Sequence, residues 1–296
     1  MKLALGPVLY YWNSEEMHAF YAQIASAPVD IVYLGETVCQ RRHLLRLQDY
    51  LDIAQQLVAA GKEVVLSTQT LIESENDIRT LHKITENGHF RVEANDMGAV
   101  RLLASKVPFV AGSTLNIYNP QTLDLLAGLG ATRWVMPVEM SRTALISLLQ
   151  NRQSKPETEA FAYGRLPLAF SARCFTARHH NLQKDDCQFK CMDHADGLLL
   201  NTREGQPFLT LNGIQTQSAL VHNLIGELAS LRSAGVEVLR ISPQSQHTLE
   251  ILQLFRAALE QQLTPEQALT KIEPLMPSAS CNGYWHDKPG LDFIRT

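Results

Sequence analysis

Three of the chain's five cysteines lie close together, Cys174, Cys187 and Cys191, spaced C-x12-C-x3-C. A fourth, Cys39, lies far upstream, and the fifth, Cys281, sits in the tail within CNGYW. Free cysteines are mostly buried small hydrophobes. The segment RHHNLQKDDCQFKC is instead polar and charged, so packing accounts for it poorly. Four thiolates suit zinc or an iron–sulfur cluster. Structural zinc sites commonly use paired CxxC knuckles, which this sequence lacks. The spacing therefore leaves both metals open. Arg173, Arg178 and Lys190 lie near the cysteines in sequence, where a cation would lower a thiol pKa; a solvated loop explains them equally well. Cys281 reads as structural. His179, His180 and His194 could add ligands, although loop histidines are more often simply exposed.

These residues need a scaffold that brings Cys39 to the other three. Apolar, β-branched runs occur at 3–12, 31–35, 63–68, 90–95, 109–113, 133–139, 157–171 and 236–242. Continuous apolar runs mark strands buried on both faces, as in parallel sheets. Amphipathic stretches separate them. Ser14 and Ser141 are candidate helix caps, Asn119-Pro120 is a cap followed by proline at the first helical position, and Gly61 and Gly130 end helices. The pattern predicts an α/β fold, a (β/α)8 TIM-like barrel with room for distortion. An open doubly wound sheet is the competitor, but GxGxxG and GxxxxGK[ST] are both missing. The expected layout is one barrel domain over 1–296, a cysteine-bearing insertion at 172–235 after strand 7, and a C-terminal extension at 263–296. Within the insertion, 197–213 reads as a hairpin and 216–233 as a helix.

In such a barrel, strand C-termini open onto one mouth, where ligands gather. Cys39 follows the second strand and Cys174 the seventh, so distant cysteines converge. Glu36, Glu93, Asn116 and Glu139 also fall at strand ends and, with Arg173, are candidate site-lining residues. Asn95 and Asp96 share that placement, with Asp96 equally suited to capping the next helix. The run QRRH at 40–43 suits either an anionic partner or a helix start.

Composition narrows the function classes. The net charge of −4 argues against nucleic acid as main partner. No run of 18 apolar residues suggests a spanning helix, and the N-terminus lacks a signal-peptide pattern, so a cytoplasmic protein is expected. HExxH and GxSxG, marks of common hydrolases, do not occur.

GETVCQRR (35–42), VVLSTQTL (64–71), VEANDMG (92–98), PFVAGSTLNIYN (108–119), RWVMPVE (133–139), YGRLPLAFSARCFTAR (163–178), LNGIQT (211–216) and CNGYW (281–285) together carry a resemblance. In these segments, from about residue 3 to about 286, the chain resembles the UbiV group, bacterial accessory proteins of oxygen-independent ubiquinone synthesis within the collagenase-like peptidase family. The resemblance implies a [4Fe-4S] cluster on Cys39, Cys174, Cys187 and Cys191. It further implies a heterodimer with a UbiU-like protein, a UbiT-like lipid carrier as a further partner, and a role in O2-independent hydroxylation of the ubiquinone precursor ring. No catalytic residue follows from it. A U32-like peptidase and a zinc-stabilised binding protein are the alternatives.

Overall fold

The computed structural model describes residues 1–295. Eight parallel strands close into a barrel: β1 (Lys2–Leu5), β2 (Ile31–Leu34), β3 (Glu63–Ser67), β4 (Arg91–Ala94), β5 (Phe109–Ala111), β6 (Ala131–Val135), the first half of β7 (Glu157–Phe170) and, after three further strands, β11 (Val238–Ile241). β11 pairs with both β1 and β7, which shuts the sheet. The intervening strands are β8 (Leu198–Asn201), β9 (Pro207–Asn212) and β10 (Gln215–Asn223). The predicted (β/α)8 barrel is thus the observed one, because each β-branched run finds a parallel partner and is buried on both faces.

Helices α1 (Ser14–Ile24), α2 (Leu47–Ala59), α3 (Glu75–Thr85), α4 (Met97–Leu103), α5 (Pro120–Gly128) and α6 (Arg142–Asn151) link the first seven strands. Local sequence fixes most of their ends. Asn119, Ser141 and Asp96 accept N–H bonds from Thr122, Ala144 and Gly98 as caps. At α1 the cap is Asn13, not Ser14: its side chain takes the N–H of Glu16, whose carboxylate returns to the Asn13 N–H. The reciprocal pair satisfies two otherwise orphaned donors, which a single serine one residue later does not. QRRH starts no helix; α2 begins only at Leu47.

Past the barrel, β7 runs on for half its length and pairs antiparallel with β10. β9 pairs with β10, and β8 with β9. The hairpin expected over 197–213 is β8–β9. The helix expected over 216–233 is mostly strand; helix is confined to a 3-10 turn (Ile225–Glu227) and α8 (Leu228–Ser233). Residues 215–223 have two sheet neighbours to satisfy their backbone and a third in β12 (Ser280–Cys281), so pairing overrides weak local propensity. α7 (Phe175–His179) lies between β7 and β8, and α9 (Thr248–Leu259) and α10 (Pro265–Ile272) follow β11. The tail docks through Asn282, which exchanges two hydrogen bonds with the Ile294 backbone, and through Trp285 Nε1, which donates to Ser230 Oγ at 3.0 Å. Among the described residues, no helix is long and apolar enough to cross a membrane.

The outer core fills the space between sheet and helices; the barrel interior differs. Ala4, Ile31, Val65, Val110, Val135 and Val238 form one inner layer with Tyr33. Around it runs a charged network. Arg133 reaches Glu157 at 2.6 Å and Glu63 at 3.1 Å. Tyr33 donates to Glu159 at 2.5 Å, and Arg240 bridges Glu159 at 2.6 Å and Glu93 at 2.8 Å. Burial works against Arg240's charge, but Glu159 and Glu93 outweigh it and hold its pKa well above the usual value.

His222, on β10, is buried beside Phe161, and burial pushes its pKa down to about 4. The unfolded chain takes that proton near pH 6.5, so the folded state loses stability as pH falls below 6.5, saturating near 4. By pH 5 the loss is about 2 kcal/mol. Urea titrations at pH 7 and 5 should show this loss in the native chain but not in His222→Leu, and equal pH dependence in both would contradict the assignment.

Candidate metal centre and barrel mouth

Cys39 sits on a loop that leaves β2 through Gly35. There φ is +139°, and a Cβ would stand 2.5 Å from the Ser67 carbonyl oxygen, so only glycine fits. Glu36 then folds its carboxylate back, accepting the N–H groups of Val38 at 2.8 Å and Cys39 at 3.0 Å. That clasp fixes the Cys39 backbone. The side chain packs with Leu9, Val38 and Ile214, and Cys174 and Phe170 close over the same patch.

Cys174 caps α7, its sulfur accepting the Ala177 N–H at 3.4 Å. α7 is moored to the β9–β10 turn, where the Phe175 N–H bonds the Gly213 carbonyl and the Gly213 N–H bonds Thr176 Oγ1. Cys187 ends one short 3-10 turn, and Cys191 lies within the next. Between them Gln188 and Phe189 take left-handed backbone (φ 49° and 52°), which reverses the chain and presents both sulfurs on one loop. Phe189 locks that loop against Tyr11 and His43.

The sulfurs are near enough to influence one another. Burial pushes the Cys39 thiol up to about 11, and the neighbouring Cys174 adds to the rise. Burial likewise raises Cys174, with Cys187 contributing, and raises Cys191, with Cys174 contributing. The cation that counters this is Arg42, not the expected Arg173, Arg178 or Lys190. Arg173 and Arg178 are exposed, and Lys190 pairs with Asp193 at 3.1 Å. Arg42 is buried, donates to the Leu9 carbonyl and Asn212 Oδ1 at 2.7 Å each, lies 3.7 Å from Glu36, and is close enough for its charge to counter the rise of the Cys191 thiol. Its Nε has no hydrogen-bond partner. A guanidinium held by these bonds beside Cys39, Cys174 and Cys191 is placed to offset thiolate charge. QRRH in the sequence carried this residue, but not its inward direction.

Four thiols are a donor set of the kind a [4Fe-4S] cluster takes. Among the described residues, no group of three or more His, Cys, Asp or Glu could hold one metal ion. Tetrahedral thiolates on one ion at about 2.3 Å stand about 3.8 Å apart. In a cluster each thiolate takes its own iron, so the four sulfurs need not converge on one point. His180 and His194 stack at 5.8 Å, each with a buried Nε2 lacking a partner. Cys281 lies apart, fully buried on β12 opposite His222.

Next to the cysteine patch opens a cavity at the C-terminal ends of the strands. Glu93, Asn95 and Arg240 line it, with Thr37, Gln215 and Phe170. Glu93 accepts from Ser67 Oγ at 2.7 Å. Leu9 and Phe170 belong both to this cavity and to the cysteine patch. A cleft of about 240 Å³ shares Thr70, Ser113, Thr114, Pro167 and Phe170 with it and carries Asn116 and Glu139. Tyr118 OH donates to Glu139 at 3.4 Å. The five site-lining candidates thus separate: Glu36 serves the Cys39 loop, Glu93 the cavity, Asn116 and Glu139 the cleft, and Arg173 faces outward. Arg42, Arg240 and Gln215 were missed as site residues. Arg240 left one signal, a charge in the middle of an apolar strand.

Remote likenesses exist among solved structures. The U32 peptidase Mk0906 shares 12% identity, with 82% of this chain and 93% of that one covered, at a TM-score of 0.45. The Bacillus cereus spore cortex-lytic enzyme SleL shares 11%, covering 88% and 75%, at 0.42. The tryptophan synthase complex from Pyrococcus furiosus shares 9%, covering 91% and 97%, at 0.42. The sequence itself is more specific, because residues 12–292 match the pattern of peptidase family U32 from the helix after β1 into the tail. With that match spanning the barrel, the cysteine loop and the docked tail alike, the chain belongs to peptidase family U32.

Proposed function

We propose that the chain is an iron–sulfur subunit of the UbiV type, acting with a UbiU-like partner in O2-independent hydroxylation of the ubiquinone precursor ring. The observation that supports this reading is that Cys39 and Cys174 share one packed patch at the barrel mouth, with Cys187 and Cys191 on the following turns and the buried cation Arg42 close by. Those four would hold a [4Fe-4S] cluster, which supplies one-electron transfer when bound. Four cysteine ligands leave no iron open to a substrate, so electron transfer is preferred over direct substrate binding. Glu36 orients the Cys39 loop, Arg42 offsets charge, and Leu9 and Phe170 keep water from the sulfurs on the cavity side. A UbiT-like carrier would deliver the lipid precursor.

The test is ubiquinone formation without oxygen in cells lacking the native chain. Co-expression with the UbiU-like partner should restore it, and Cys39→Ala should not. Full restoration by Cys39→Ala would refute the proposal. Family membership also favours a second reading, peptide hydrolysis by a barrel-mouth acid. Cleavage of collagen-like peptides that is lost in Glu93→Gln would establish it.

A further inference from the structure

We propose that the cleft carrying Glu139 binds a small protonated primary amine with an apolar body. The cleft lies at the C-terminal ends of the strands, the ligand-gathering end of a barrel. Glu139 follows β6 and Asn116 follows β5, while Pro167, Leu168 and Phe170 form a wall from the part of β7 that runs on past the barrel. Its volume of about 240 Å³ exceeds the roughly 150 Å³ in which an apolar cavity holds benzene. A ring with a short side chain therefore fits, and the apolar wall suits it.

Charge selects the ligand. The other carboxylates of the mouth are already engaged: Glu36 by the Val38 and Cys39 N–H groups, Glu93 by Arg240 and Ser67. Glu139 is exposed, and no Lys, Arg or His lines its cleft. Its contact with Tyr118 OH, at 3.4 Å, is long for an O–H···O bond, so the carboxylate stays open to a stronger donor. An anion would meet only repulsion there. An ammonium brings three N–H donors; Glu139 takes one, and the side-chain oxygens of Asn116, Thr70 and Ser113 line the same cleft for the others. Aromatic rings add attraction for a cation. Tyr118 lies in the lining, and Tyr284 stands close: burial first and the Glu139 charge second raise both hydroxyls above their usual pKa. A neutral alcohol of the same shape gains the apolar contact without the charge terms.

No cysteine lines the cleft, so the outcome does not depend on whether the chain carries iron. The probe is phenethylamine, a cation near pH 7, titrated into the full chain and followed by ligand-observed NMR. Phenethyl alcohol is its neutral counterpart. A dissociation constant of order 1 mM is expected for the amine, with binding of the alcohol about tenfold weaker. Glu139→Gln should weaken the amine about fivefold and leave the alcohol unchanged. Glutamine keeps the size of the side chain at an exposed position, so the fold is retained. Salt at about 1 M should weaken the amine and spare the alcohol. Absence of amine binding, equal affinity for amine and alcohol, or amine affinity unchanged in Glu139→Gln would each overturn the proposal.

Discussion

Arg240→Met is expected to destabilise the protein by about 3–5 kcal/mol, the usual cost of removing one partner from a buried ion pair. Arg240 is held by Glu159 and Glu93, both at most 1% exposed. Methionine matches the length of the aliphatic stem but leaves Glu93 without its cation. Glu159 retains Tyr33 at 2.5 Å and Arg133 at 3.8 Å, so the damage concentrates at Glu93. Adding Glu93→Gln should therefore recover part of the loss, because a neutral amide no longer demands a counter-charge. In urea the midpoint should fall by about 1–2 M in the single variant and by less in the double. An additive double variant, with no recovery, would show that the Arg240–Glu93 contact is not what stabilises the barrel interior.

Cys39→Ala is expected to abolish stable cluster binding, while Cys281→Ala leaves it unchanged. Cys39 is the one proposed ligand outside the 174–191 excursion, and Glu36 fixes its backbone through two N–H groups. Its loss leaves three sulfurs on a single loop and one iron without a protein ligand. Cys281 is fully buried on β12, and its thiol is raised to about 12 by burial alone, with Arg165 the only charge felt there. Iron and acid-labile sulfide per chain, in protein purified without oxygen, read both effects. Equal iron in Cys39→Ala and the native chain would remove Cys39 from the ligand set; iron loss in Cys281→Ala would bring Cys281 into it.

The barrel was readable because its strands are short β-branched runs with capped helices between them, and that pattern admits few alternatives. Residues 215–223 were not. QTQSALVHN holds no long apolar run, and its strand character comes from pairing with the adjacent β9 and with β7 and β12, which are distant in sequence. The meeting of Cys39 with Cys174 followed from barrel geometry, since both leave the C-terminal ends of strands. Arg42 as the cation at the cysteines did not follow, because direction of a loop side chain is set by packing against Leu9, Tyr11 and Asn212. The charged interior was also hidden. Tyr33, Arg133, Glu159 and Arg240 are scattered over four strands, and only the closed barrel reveals that they share one space.

The proposed function stands or falls with a cluster of several irons on the four cysteines. Its most direct measurement is the visible spectrum, with iron, zinc and sulfide content, of the native chain purified without oxygen. A bound cluster would make the protein brown, with about four irons and matching sulfide per chain. A colourless protein carrying one zinc and no sulfide would contradict it.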